Sequence, residues 1–266
     1  MIRLAKRSLI AYLTCGDPDL ATTHAIALAA IDAGAAMLEL GVPFSDPVAD
    51  GPVIQRASER ALARDTTLND VLQQGAAIRA ERPQAGLIVF SYFNPILRFG
   101  LEKFAATAKS AGFDGALVTD LPPEEADAYL YFMRGQDLAT IFLAAPTSSD
   151  ARLRAVAKGS RGFVYAVSRT AVTGAQINLA SDARALVRRL REFTALPIAV
   201  GFGIANSEQF QAVTKFADAA VVGSAIVRRV ENSSPAEAPA AVADLILALT
   251  ARHPTRRAKR TRATRG

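Results

Sequence analysis

The chain has 266 residues, half of them hydrophobic, with 31 basic and 25 acidic side chains and a net charge of +6. That length suits one α/β barrel, and no uninterrupted apolar run approaches the roughly 18 residues a bilayer requires, so a helical membrane protein is excluded and a soluble one expected. The positive charge belongs to one end: Arg252, Arg256, Arg257, Lys259, Arg260, Arg262 and Arg265 crowd the last residues with no acid among them, and the remainder is slightly acidic. Residues 1–253 are expected to form a single domain and 254–266 a basic, disordered tail. The tail has the charge to touch nucleic-acid phosphates, but a solvated extension without a specific partner is the plainer expectation.

Arg3, Lys6 and Arg7 precede the apolar Leu9–Cys15, a start that superficially resembles a signal peptide. So short a run, with no small-x-small site after it and the turn Gly16-Asp17-Pro18 next, fits a first strand over Leu9–Thr14 instead. The single Cys15 has no disulfide partner within the chain, which suits a reducing, cytoplasmic compartment, and it reads as core filling rather than as a nucleophile.

The second strand, Met37–Val42, carries a carboxylate in an apolar run. Alternation places Met37, Glu39 and Gly41 on one side and Leu38, Leu40 and Val42 on the other, so Glu39 is expected to point into the barrel. The strand runs directly into the loop Gly41-Val42-Pro43-Phe44-Ser45-Asp46-Pro47-Val48-Ala49-Asp50. A carboxylate among apolar side chains is costly unless paired or neutralised, whereas one on a Pro-bounded loop can stay ionised. The two environments push the pKa values of Glu39 and Asp50 apart, which equips one to give a proton and the other to take one. Asp46 before Pro47 and Asp50 before Gly51 are also ordinary turn formers.

Further strands are predicted over Leu87–Tyr92, Gly115–Asp120, Thr140–Ala145, Phe163–Ser168, Pro197–Phe202 and Ala219–Ser224, making eight. Helical spacing lies between them, as in Phe104 and Ala108 after Leu101, or Leu186, Leu190 and Phe193 after the capping candidate Ser181. Helix ends that carry Gly and lead into a short strand recur at Asp32-Ala33-Gly34, Ser110-Ala111-Gly112 and Lys158-Gly159-Ser160-Arg161-Gly162. Eight right-handed βα units at this length imply a closed (β/α)8 TIM barrel, an α/β fold of one domain; an open doubly wound sheet is the alternative.

The polar groups that stand out all fall at strand C-terminal ends or just after them: Glu39, Asp46 and Asp50, then Asp120, Thr173-Gly174, Gly201-Phe202-Gly203 and Gly223-Ser224. That is the catalytic face of such a barrel. The glycine pairs after strands six to eight, with Ser224 opening a helix, suit a phosphate cradle. Only His24 and His253 occur, so a Ser-His-Asp triad or a His-rich metal site is not expected, and acid–base work falls to carboxylates. Neither a Walker nor a Rossmann glycine pattern is present, and no nucleotide cofactor is indicated.

The segment from Leu38 to Gln55, containing Gly41-Val42-Pro43-Phe44-Ser45-Asp46-Pro47 and Ala49-Asp50-Gly51-Pro52, closely resembles the signature of the tryptophan synthase α-subunit family. Thr14-Cys15-Gly16-Asp17-Pro18, Asp120-Leu121-Pro122, Tyr165-Ala166-Val167-Ser168-Arg169, Val172-Thr173-Gly174, Gly201-Phe202-Gly203-Ile204 and Gly223-Ser224-Ala225-Ile226 extend the likeness from about residue 9 to about residue 250. The resemblance implies a carbon–carbon lyase of tryptophan biosynthesis that splits indole-3-glycerol phosphate into indole and glyceraldehyde 3-phosphate without a cofactor of its own. It implies that Glu39 protonates indole C3 and removes the glycerol hydroxyl proton, while Asp50 hydrogen-bonds the indole N–H. Matching positions make Gly174, Gly203, Gly223 and Ser224 the phosphate site and Tyr12, Phe90, Tyr165 and Phe202 the indole walls, with Thr173 on a closing loop that meets Asp50.

The same resemblance implies an αββα complex with a pyridoxal-phosphate β subunit, contacted through Pro43, Asp46, Asn94 and Pro122. Rival readings are a free-standing indole-3-glycerol-phosphate lyase, a non-catalytic paralogue kept for partner binding, and another phosphosugar barrel such as an isomerase. Three departures from the family pattern stand out: few residues precede strand one, Thr170-Ala171 stands where Ser-Gly is common, and the tail is basic.

Overall fold

A computed structural model describes residues 2, 4–167, 176–201 and 203–251, with the backbone alone for 176–180. Its strands are β1 (Ser8–Thr14), β2 (Met37–Gly41), β3 (Gly86–Ser91), β4 (Gly115–Val118), β5 (Ala139–Ile141), β6 (Leu143–Ala144), β7 (Val164–Val167), β8 (Ile198–Gly201) and β9 (Ala219–Val222). All pair in parallel, in the order β5-β4-β3-β2-β1-β9-β8-β7-β6. The two outermost strands are joined by the single residue Phe142, so the sheet closes on itself and the open-sheet alternative falls away.

The strand predicted over Thr140–Ala145 is therefore split. Its first half pairs with β4, and its second half with β7, where Phe142 C=O accepts from Tyr165 N–H at 3.1 Å. Barrel strands are tilted and staggered, so a short strand meets its two neighbours at different heights. The strand predicted to reach Ser224 stops at Val222, because Gly223 leaves the extended region (φ −111°, ψ −82°) and Ser224 opens a helix. The predicted ends Ser168 and Phe202 lie outside the described residues.

The helices are α1 (Leu20–Asp32), α2 (Pro52–Leu62), α3 (Leu68–Glu81), α4 (Phe93–Phe99), α5 (Leu101–Ser110), α6 (Asp127–Gly135), α7 (Asp150–Gly159), α8 (Gln176–Arg191), α9 (Ser207–Val213), α10 (Ser224–Glu231) and α11 (Ala238–Thr250). Local chemistry sets their starts. Asp19 accepts from Thr22 N–H at 2.7 Å to cap α1, Thr67 and Asp70 form a reciprocal capping box on α3, and Pro52 occupies the first turn of α2, where no donor is needed. Gly34 and Gly112, just past α1 and α5, adopt φ of +103° and +79°, the left-handed turn that returns the chain to the sheet.

Strand parity decides the layers. Ile10, Met37, Ile88, Leu117, Ile141 and Phe163 fill the barrel, while Leu9, Leu38, Leu40, Val89 and Val164 face the helices. Ile2 and Leu4 pack against the inner layer and floor it. Among the described residues no helix is long and apolar enough to cross a membrane.

Candidate active site

Glu39 sits in β2 directly between Tyr12 of β1 and Ile88 of β3, on the inward parity expected for it. It is fully buried, and neither carboxylate oxygen has a hydrogen-bond partner among the described residues. Burial pushes its carboxyl up to about 8, so at neutral pH Glu39 is predominantly the neutral acid.

Asp50 closes the loop after β2. The loop turns through Val48 N–H to Asp46 C=O at 2.8 Å and Asp50 N–H to Pro47 C=O at 2.9 Å, so the turn-forming sequence does form turns. Asp50 is half-buried, and its carboxyl is pushed up to about 6 by burial, with the hydroxyl of Tyr92 opposing the rise by donating to Oδ2 at 3.0 Å. At pH 7 Asp50 is mainly ionised while Glu39 is mainly not.

Tyr92 is a functional candidate that sequence reasoning did not single out. Its hydroxyl accepts from Ala49 N–H at 2.9 Å as it donates to Asp50, and its ring lies 5.1 Å from that of Phe44. One phenol thus pins the end of the loop while its ring packs on Phe44. The available signal was its place as the last residue of the predicted third strand, on the catalytic face.

Tyr12 and Tyr165 bring the two carboxylates to one place. Burial raises both phenols well above the ordinary tyrosine range, and the charges of Asp50 and Glu39 add to the rise at each ring. Phe90 meets Tyr12 edge-on with ring centroids 5.0 Å apart. Glycine makes room for these rings: a Cβ on Gly41 would lie 2.3 Å from the Tyr12 hydroxyl, and one on Gly201 would lie 2.3 Å from that of Tyr165.

The remaining sequence candidates divide. Gly223 stands at the N-cap of α10 beside Tyr12, a hypothetical Cβ being 3.6 Å from that of Tyr12, and Ser224 begins the helix, so both edge the same mouth. Gly203 is an exposed turn residue at φ +72°. Thr173, Gly174 and Phe202 lie outside the described residues. Asp46 is exposed on the loop after β2, Asn94 is exposed in the first turn of α4, Pro122 is partly exposed after β4, and Pro43 is buried under its own loop. Asp120, prominent in the sequence, accepts from Phe93 N–H at 2.7 Å and thereby anchors the chain after β3. Burial pushes the Cys15 thiol up to about 12, which fits core filling.

Residues 3–253 match the family model described as tryptophan synthase alpha chain. This chain belongs to that family. The tryptophan synthase alpha chain of Solibacter usitatus is 48% identical over 233 residues, covering 88% of this chain and 87% of that one. That of Geobacter sulfurreducens is 46% identical over 245 residues, covering 92% of each. Among solved structures, the tryptophan synthase complex from Pyrococcus furiosus has a chain that superposes with a TM-score of 0.85 at 36% identity, over 93% of this chain and 99% of that one. As a family member the chain is a carbon–carbon lyase of tryptophan biosynthesis that cleaves indole-3-glycerol phosphate, and neither the free-standing lyase nor the non-catalytic reading is favoured.

Proposed function

We propose that Glu39 is the acid–base of the retro-aldol cleavage and Asp50 its electrostatic partner. The observation that supports this most is the opposite protonation of two carboxylates around one pair of phenols. Neutral Glu39 gives its proton to indole C3, and ionised Asp50, accepting from the indole N–H, stabilises the positive indolenine that results. Glu39, now a carboxylate in an apolar site, removes the proton of the adjacent glycerol hydroxyl. The carbon–carbon bond electrons return to the indole ring, the aldehyde forms, and Glu39 ends protonated as it began. Each well-placed acid or base contributes roughly 10²–10⁴ in rate.

Tyr12, Phe90, Tyr165 and Phe202 wall the indole in this reading. The phosphate rests on Gly174, Gly203, Gly223 and Ser224, where the N-terminus of α10 favours negative charge. Closure of the Thr173 loop toward Asp50 would exclude water from both proton transfers. No cofactor is proposed for this chain. A cytoplasmic αββα assembly with a pyridoxal-phosphate β subunit would receive the indole, with exposed Asp46 and Asn94 and partly exposed Pro122 at the contact and Pro43 shaping the loop from beneath. The similarity to a chain of the Pyrococcus furiosus tryptophan synthase complex supports such a partner.

The test is indole release from indole-3-glycerol phosphate by this chain, with and without a β subunit. Asp50→Asn is expected to depress turnover strongly, and a near-normal rate would return Asp50 to a turn residue. Equal turnover with and without β would refute the coupled assembly.

A further inference from the structure

Two helices connect β2 to β3, and the first of them, α2, directly follows the Asp50 loop. Val53, Ile54 and Ala57 on its underside pack against Tyr12, Phe90 and Val227 of α10. Polar contacts add direction to this packing. Arg60 binds Asp17 through two hydrogen bonds of 2.8 Å, and Asp17, in the loop after β1, is buried. The same guanidinium reaches Glu231, the last residue of α10, at 3.0 Å, and Arg56 one turn earlier binds both oxygens of Glu231 at 2.8 and 2.9 Å.

Forked arginine–carboxylate pairs impose angle as well as distance, unlike apolar contact. The clamp therefore contributes to how α2 lies relative to α10 and to the end of β1. Both helices begin at the site: α2 starts two residues after Asp50, whose carbonyl also accepts from Gln55 at 3.0 Å, and α10 starts at Ser224.

From this we infer that Arg60, acting through Asp17 and Glu231, is a positioning residue that sets the span between Asp50 and the N-terminus of α10. It rests on the proposed function, in which the substrate's indole meets Asp50 while its phosphate meets α10. A ligand that occupies both ends depends on the span, and a ligand that occupies only one does not.

The experiment uses the full chain with Arg60→Met, Arg60→Lys and Glu231→Gln, each checked for cooperative unfolding. The readouts are KM for indole-3-glycerol phosphate and the Kd of glycerol 3-phosphate, which occupies the phosphate end alone. Arg60→Met should raise KM by about 10-fold, since small misplacements of a bound substrate are expensive, while glycerol 3-phosphate affinity stays within about two-fold. Arg60→Lys should recover part of the loss. Glu231→Gln keeps the Asp17 pair and should raise KM by about three-fold, which carries the test if Arg60→Met fails to fold.

An unchanged KM in folded variants, or equal weakening of both ligands, overturns the span while leaving the lyase reading intact. A wild-type chain that binds glycerol 3-phosphate but releases no indole even with a β subunit present overturns both.

Discussion

Glu39→Gln separates chemistry from stability in a way few substitutions can. The amide keeps the shape of the side chain but cannot exchange the proton, so kcat should fall by at least about 10². Stability relative to wild type should instead rise with pH. The carboxyl of Glu39 lies near 8 in the folded chain against an ordinary value of 4.5. Below the lower value both states hold the proton; between the two the unfolded chain loses it while the folded one keeps it, so wild-type stability declines as pH climbs through this window and levels off above it. The amide of the variant would not titrate. Its stability relative to wild type should therefore grow by about 4 kcal/mol between about pH 5 and pH 8.5, whatever constant offset the amide adds. Urea unfolding of both proteins across a pH series reads the gap directly. Parallel curves with a fixed separation would mean that Glu39 is solvated or paired in the free protein, and the account of a stored proton would be refuted.

With Asp50 active as the anion and Glu39 as the neutral acid, kcat/KM should rise with pH through about 6 and fall above about 8. A profile flat across that range would contradict the assignment. Tyr92→Phe removes the donor that favours charged Asp50, so the acid limb should move to higher pH while the alkaline limb stays, and an unmoved acid limb would show that the phenol does not set this ionisation. Gly41→Ala places a Cβ against the Tyr12 hydroxyl, and overpacking of this kind costs about 1–3 kcal/mol. Thermal unfolding should show that loss together with a raised KM, and a variant equal to wild type in both would mean that Tyr12 moves aside freely.

Much of the fold was legible because its signals are local. Strand position, the period-two parity that points Glu39 inward, and the glycines at 34 and 112 depend on a residue and its near neighbours, and the structure keeps all three, though several strands end short of their predicted limits. The direction of the strands places Asp50 and Ser224 on one face for the same reason. Asp120 marks the limit of such reasoning: its position at a strand end was right, but its oxygen meets the Phe93 backbone 27 residues earlier.

What the sequence determined by itself was the alternation of strands and helices, the side from which each candidate group emerges, and the family motif between Leu38 and Gln55. Only the tertiary structure decided closure through Phe142, the neutral state of Glu39, the grip of Tyr92 on a loop some forty residues before it, and the arginine clamp joining α2 to α10 across more than 170 residues. Periodicity states which way a side chain faces; protonation and clamping depend on what it meets there, and those neighbours come from distant parts of the chain.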